Sequence, residues 1–486
     1  MKRLLYIIIA AAGLSASLAA EDGKTLFIPA PDQITGISGN AINDIAVSGP
    51  RIWIGTNALC MTEDNGMSWH IYSEEDGIGR GSVSAIARKG DTLWVATAFD
   101  TTTSLGTYDA GGGLSYSLDG GDTWTWVPQP VDSQDVTGYS PTTTVINNLT
   151  YDIALTDSTV WIASFAGGLR KSGDMGKTWQ VVTVDGNPFS AVSYYAHRLF
   201  SVMYDGSAIW AGSAGGVHKS LDGGKTWVTF SHQNQDQPVS GNFVVALAHQ
   251  NTSRGPVVWA ATVEAVDMGE YRAVSYTKDG GLSWDVCLNS TFAHNFAFSG
   301  DDVYVATSSG LFKSVDLGGR WAAFPFIRDR DTGEGVYSTE FYSVGAGPET
   351  GLWAGSGDGA AYSRDNGISW KVFRAFKSTG LGSQPETYAF PNPFSPYRHN
   401  QQDGDGHVRF QYNVSAPSAV TVKVYDYGMN LVRTVADEIY RPGAGDYAEV
   451  WNGRNELGDV VANGVYFYSV YIEGTGTVWG KVLVVD

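Results

Sequence analysis

The sequence predicts an all-β protein with two folded parts, a seven-bladed β-propeller followed by a β-sandwich. Three observations predict it. An eight-residue pattern recurs seven times. Each copy is flanked by short apolar runs rich in β-branched and aromatic residues. Beyond the last copy, the text changes to longer runs that alternate apolar and polar with period two.

The pattern reads "SLDGGKTW" at 220–227 and recurs as "TEDNGMSW", "SLDGGDTW", "SGDMGKTW", "TKDGGLSW", "SVDLGGRW" and "SRDNGISW". Ser or Thr comes first, Asp third, Gly fifth and Trp eighth; the seventh place is Ser or Thr except at Arg320. The aspartates are Asp64, Asp119, Asp174, Asp222, Asp279, Asp316 and Asp365, spaced 37 to 57 residues apart. A period of that length marks a modular array, and four-stranded propeller blades are one such array. Each pattern follows an aromatic-bearing run such as "RIWIGT" or "AIWAGS" and a glycine turn. A strand-like piece such as "AINDIAV" precedes that run, and another such as "WVTF" follows the pattern. That makes four short strands per repeat, A to D.

The pattern itself reads as a turn. A short carboxylate accepts hydrogen bonds from the amides of its own loop, and glycine admits left-handed backbone. Burying the tryptophan contributes roughly 1.5–3 kcal/mol, against about 0.5–1.5 kcal/mol for one hydrogen bond. The aspartates are therefore expected to shape the turn and the tryptophans to stabilise it. Seven copies spread around a ring cannot converge on one substrate or metal.

These residues resemble the Asp-box, or BNR, repeat family over about residues 40–375. The family includes sialidases, sortilin-type receptors, some glycanases and many secreted propellers. The resemblance implies a propeller whose aspartates are structural.

The N-terminus, "MKRLLYIIIAAAGLSASLAAEDG", has the basic start, apolar run and small residues of a secretory signal peptide over 1–20. The mature chain is expected to be exported and soluble. The formal net charge is −19, which argues against nucleic acid or anionic lipid as a partner. Cys60 and Cys287 are the only cysteines, so a disulfide-stapled fold is excluded, although pairing of these two stays open. Sequons stand at Asn148, Asn251, Asn289 and Asn413, and would carry little meaning if the source is bacterial.

In each repeat the A–B and C–D turns lie on one face, and the B–C loops and D–A links on the other. The strand-B aromatic and the pattern Asp are 11 to 13 residues apart in five repeats, but 25 apart in the second (Trp94 to Asp119) and 20 in the fifth (Trp259 to Asp279). Long links follow at "VPQPVDSQDVTGYSPTTT", "VDGNPFSAVSYYAHRLF" and "FPFIRDRDTGEGVYSTEF". Binding residues concentrate on such loops. The candidates are Tyr108, Asp109, Tyr194, Tyr195, His197, Glu270, Tyr271, Arg272, Arg328 and Arg330. Tyrosines with mixed charges suit a glycan or protein ligand. The working surface is therefore expected opposite the aspartate turns.

No catalytic residue is nominated. The sialidase-type F-R-I-P motif is missing, and "FPFIRDRD" stands at the wrong end of the chain for it. No sequence pattern singles out a pair of carboxylates for glycoside hydrolysis. Zinc spacings, a nucleophile elbow and a phosphate loop are absent, and no cofactor or metal is expected. Asp44, at the start of an inner strand, is read as a turn residue, with the central funnel as its alternative.

Residues 381–388 have linker composition. From 389 onward, "TVKVYDY" and "VYFYSVYI" alternate with period two, as one-sided strands do. About 95 residues of such strands suit a sandwich. The segment resembles the immunoglobulin-like module of flagellar hook-capping (FlgD-like) proteins, which is also found in the sorting domains of type IX secretion cargo. The matching residues are Pro391–Phe394, Val424–Gly428, Trp451–Gly458, Asn463–Tyr468 and the strand Lys481–Val485. The resemblance implies export across the outer membrane to the cell surface or medium, with the type IX machinery as partner. "DGDG" at 403–406 is read as a polar turn.

The domains are thus 1–20 signal peptide, 21–380 propeller, 381–388 linker and 389–486 sorting module. The expected role is binding rather than catalysis, through the long-loop face. The alternatives are a glycoside hydrolase on that face and an assembly factor for a membrane complex.

Overall fold

The computed structural model describes residues 34–104, 106–133, 142–265, 269–380 and 385–486. The proposed signal peptide lies outside these residues. Nearly every regular element among them is a strand. The chain divides into two compact units. The first holds Ile37–Arg330 and Glu340–Phe373, and the second Asp331–Thr339 and Arg374–Asp486.

The first unit contains seven four-stranded antiparallel sheets, each a meander in chain order. Sheets one to seven span 44–72, 82–127, 150–182, 199–230, 243–287, 293–323 and 341–373. The A strand of each sheet lies against the A strand of the next, and that of sheet seven lies against that of sheet one. The ring is therefore closed. At the closure, Ser343 Oγ donates to the Ile42 carbonyl at 3.0 Å. The Trp69 ring meets Trp353 edge-on at 6.2 Å.

The repeated turn explains its own residues. In sheet four, Asp222 Oδ1 accepts from the Ser220 hydroxyl and from the amides of Lys225 and Thr226, all at 2.9 Å. Its Oδ2 accepts from the Thr226 hydroxyl at 2.6 Å, and Ser220 Oγ accepts from the Gly224 amide at 2.8 Å. The glycine at the fifth place has a second reason. Gly224 has φ +85°, and a Cβ there would stand 2.6 Å from the Trp161 ring of sheet three. Gly121 meets Trp53 in the same way, and Gly318 meets Trp259. The turn thus seats one sheet on an aromatic of the sheet before it, the strand-B tryptophan in these repeats and Phe373, Phe230 or Phe324 at Gly66, Gly281 and Gly367. The fourth place is also left-handed, at Met175 (φ 61°) and Leu317 (φ 58°) as well as at glycines. Gly223→Ala should cost about 1–2 kcal/mol of backbone strain alone, since nothing lies within 4 Å of its Cβ position. Gly224→Ala should cost about 1–3 kcal/mol more, because the Trp161 ring must move. Urea denaturation of the two variants checks the order.

The insertion in sheet two is not a loop. Strands Thr92–Thr103 and Gly106–Ser117 continue it as a long hairpin, with Asp100 opposite Asp109. Cys60 and Cys287 are both free thiols. No helix among the described residues is long and apolar enough to cross a membrane.

The second unit has a three-stranded sheet of Thr387–Phe390, Val408–Val414 and Gly445–Trp451. Its four-stranded sheet runs in the order Leu431–Arg441, Ser418–Tyr425, Gly464–Ile472, Gly476–Val484. One core holds Phe410, Tyr412, Val422, Trp451, Tyr468 and Val482. Ser418–Tyr425 alternates buried and half-buried along its whole length, as period two requires. The expected linker is shorter than its composition suggested, because Thr387 and Tyr388 pair with Tyr412 and Gln411. Residues 331–339, expected as a propeller link, join this unit. The buried Arg409 guanidinium donates to the Gly335 carbonyl at 2.9 Å, and the Thr339 amide donates to Gln401.

The Pro-Asn-Pro-Phe opening buries Phe394 completely beside the final strand. The Asn392 amide donates to the Lys481 carbonyl and accepts from the Leu483 N–H. The "DGDG" turn closes between Gln402 and Asp405. The Asp405 carboxylate is gripped by the Arg454 guanidinium at 2.6 and 2.9 Å and by Asn452.

Candidate functional site

The inner strands build the central channel from one repeated irregularity. In sheets two to seven the A–B register skips one residue near the start of strand A. Such a bulge re-aims a side chain. The skipped residues are Ser84, Tyr151, Phe200, Val245, His294 and Tyr342. Ring contacts pass between them, Tyr151 to Phe200 at 5.6 Å and His294 to Tyr342 at 5.7 Å. They form a largely aromatic collar at the long-loop end. Glu340 accepts from the Tyr342 hydroxyl at 3.1 Å and stands 3.3 Å from His294 Nε2. Sequence reading missed this collar. The aromatic before the alternating stretch in "YDIAL" and "HNFAF" was its only trace.

Beneath the collar lies a polar girdle. Asp44 opens a strand rather than a turn and is half-buried. It accepts from the Ile86 amide of sheet two at 2.7 Å and from its neighbour Ile45, and Asn295 of sheet six approaches at 3.5 Å. The funnel alternative is therefore the correct one, because the unpaired amide of the next inner strand needs an acceptor. Asp152 does the same for sheet four, accepting from Ser201 Oγ at 2.7 Å and from the Val202 amide at 2.9 Å. Ser201 Oγ then accepts from Leu247 of sheet five. Burial outweighs these donors and pushes Asp44 up to about 6 and Asp152 to about 7.

The ten predicted binding residues fall into four clusters, each held by its own loop. Tyr108 is half-buried on the hairpin of sheet two. Beside it, burial and a hydrogen bond shared with Asp100 raise Asp109 to about 6. Tyr194 and Tyr195 are exposed on the link to sheet four. The Arg198 guanidinium lies over the Tyr195 ring at 4.6 Å. His197 is buried on that link. Its ring bonds the Ser190 amide at 3.0 Å and Asp185 at 2.8 Å, so both nitrogens are spent internally. Glu270 is also buried, where it accepts from Asn242, Gln233 and the Ala265 amide and ties down the sheet-five loop. Tyr271 beside it is exposed, and Arg272 pairs with Glu264 at 2.8 Å. Arg328 and Arg330 are exposed on either side of the buried Asp329.

The opposite end of the channel opens on the face of the aspartate turns. A cavity of about 620 Å³ lies there, walled by the ends of the inner strands of sheets two to five. Its lining includes Asp152, Leu247, Arg88, Lys89, Tyr204, His249 and Asn251. The aspartate-turn face, which the loop lengths did not single out, thus also carries a concavity.

The profile of the FlgD Ig-like domain matches residues 398–476. Among curated proteins, none matches the chain. The structure is similar to the GH74 enzyme of Niastella koreensis, with 14% identity and a TM-score of 0.54, covering 93% of this chain and 75% of that one. It is also similar to PorZ, an essential surface component of the type-IX secretion system of Porphyromonas gingivalis, with 14% identity and a TM-score of 0.41. That match covers 91% of this chain but only 65% of PorZ. YCF48 from Cyanidioschyzon merolae matches at 17% identity and a TM-score of 0.43, over 68% of this chain and 96% of that one. The likeness to the Niastella enzyme is one of fold, and the chain is an all-β protein with a β-propeller fold and a FlgD-type Ig-like domain near its C-terminus.

Proposed function

We propose that the seven sheets form one seven-bladed Asp-box propeller, displayed outside the cell, that binds a glycan or a protein through its long-loop face. The immunoglobulin-like sandwich over 389–486 serves as a type IX sorting module in this reading. One observation carries the binding role. Tyr194 and Tyr195 are exposed on the link to sheet four, and Tyr271 is exposed on the sheet-five loop. Exposed tyrosines offer a large amphipathic contact at low entropic cost. The hydrolase reading finds less support. Glu270 is consumed by its loop, and Asp100 and Asp109 hydrogen-bond each other directly, whereas glycosidase carboxylates stand about 5–9.5 Å apart around the bond they cleave.

The test is a glycan and surface-protein binding screen of the purified chain, with hydrolysis followed in parallel. The triple variant Tyr194→Ala, Tyr195→Ala, Tyr271→Ala should lose the ligand while keeping its melting temperature. Turnover of any glycan would transfer the assignment to a hydrolase. Isolation with a membrane complex in place of a soluble ligand would favour an assembly factor. A chain lacking 389–486 should stay in the periplasm, and unchanged delivery to the surface would refute the sorting role.

A further inference from the structure

We infer that the cavity on the aspartate-turn face is a second binding site, shaped for the end of an uncharged carbohydrate chain. The site is independent of the long-loop face.

Its size is the first argument. About 620 Å³ falls within the roughly 300–1,000 Å³ of small-ligand sites. Its chemistry is the second. The lining alternates apolar residues, the half-buried Ala87 and Leu155 and the more deeply packed Met203 and Leu247, with polar groups on the same four strand ends. A pyranose presents that same alternation, with C–H faces and a hydroxyl rim. The Tyr204 ring adds an aromatic wall, and its hydroxyl is held by the Gly206 carbonyl at 2.7 Å.

Charge balance decides between sugar types. Lys89 is paired with Asp157, and Arg88 is the remaining cation. Asp152 and Asp205 are the remaining carboxylates, and the oxygens of Asp205 are occupied by Ser207, Ala208 and Trp210. The lining therefore has no surplus positive charge to select a uronate or a phosphate. Arg88 uses its Nε on the Gly90 carbonyl at 2.9 Å, so its Nη groups can serve hydroxyls. Nothing among the described residues hydrogen-bonds the His249 ring, which can donate at one nitrogen and accept at the other. Asp152 also lines the cavity, with a carboxyl already fixed by three donors.

The probes are cellotetraose, mannotetraose and xylotetraose, read by saturation-transfer NMR and calorimetry on the full chain. At least one should bind saturably. Tyr204→Ala and His249→Ala, each checked for an unchanged melting temperature, should weaken it by about tenfold or more. The long-loop triple variant should bind it as the parent does. Failure of all three tetraoses overturns the inference, as does binding confined to acidic saccharides tested beside them. If a tetraose binds but only the triple variant loses it, the cavity is refuted and the long-loop reading stands. If Tyr204→Ala loses it and the triple variant still binds every ligand found in the wider screen, the long-loop reading fails instead.

Discussion

Trp259→Ala is expected to lower the unfolding free energy of the propeller unit by about 3–5 kcal/mol. Trp259 is fully buried in sheet five. Its ring contacts Phe296, Phe298 and Trp321 of sheet six, each at 6.3 Å. Its Nε1 donates at 2.9 Å to Gln250, whose own amide reaches the Gly300 carbonyl of sheet six. Alanine would open a cavity between two sheets and strand the buried Gln250 oxygen. Trp126→Ala is the control, since Trp126 is 49% exposed and makes one hydrogen bond, to the Gly112 carbonyl. It should cost about 1 kcal/mol or less. Asp222→Ala should also cost less than Trp259→Ala, because the carboxylate's partners can turn to water. Urea unfolding followed by tryptophan fluorescence checks the series. A larger loss for Asp222→Ala would show that turns, not interleaved aromatics, hold the ring.

The contribution of Asp44 and Asp152 to stability should be full below about pH 4 and fall as the pH rises to 7, partly offset by His218, which burial lowers to about 3. Burial raises Asp44 to about 6 and Asp152 to about 7, against 3.8 for a free aspartate. The unfolded chain therefore sheds these protons near pH 4, and the folded chain keeps them until pH 6–7. Across that window the folded state binds more protons at these two carboxyls, so their contribution declines with rising pH. The turn aspartates act in the opposite sense. Hydroxyl and amide donors hold Asp64, Asp174, Asp316 and Asp365 near 2. Burial pushes Asp279 upward, but Ser283 and its turn amides still bring it to about 2. Their stabilisation is present above pH 4 and is lost as the pH falls towards 2. Asp44→Asn with Asp152→Asn should flatten the decline between pH 4 and 7, which is worth on the order of a few kcal/mol at about 1.4 kcal/mol per pKa unit. Thermal melts across pH 3–8 decide it. A double variant with the parent's slope would place the titration elsewhere.

The two faces of the channel were legible to different degrees. The exposed tyrosines of the links could be nominated from loop length alone. His197 and Glu270 came from the same loops, yet they face inward, because a long ordered link must satisfy its own buried amides. The collar of Tyr151, Phe200, His294 and Tyr342 left almost no trace, since a bulge is a property of pairing between two strands. Asp44 and Asp152 sit in apolar stretches where a lone carboxylate resembles a turn signal.

The sequence by itself determined the repeat count, the four-strand unit and the change to a second module at the C-terminus. These follow from local chemistry, since turn residues and side-chain alternation act within a few positions. Only the tertiary structure decided which carboxylates are spent, which face holds a cavity and why the fifth residue of each turn is glycine. Gly224 meets Trp161 from another repeat, and Asp152 caps a strand 50 residues away in sequence. Such partners are chosen by ring closure, and no local pattern records them.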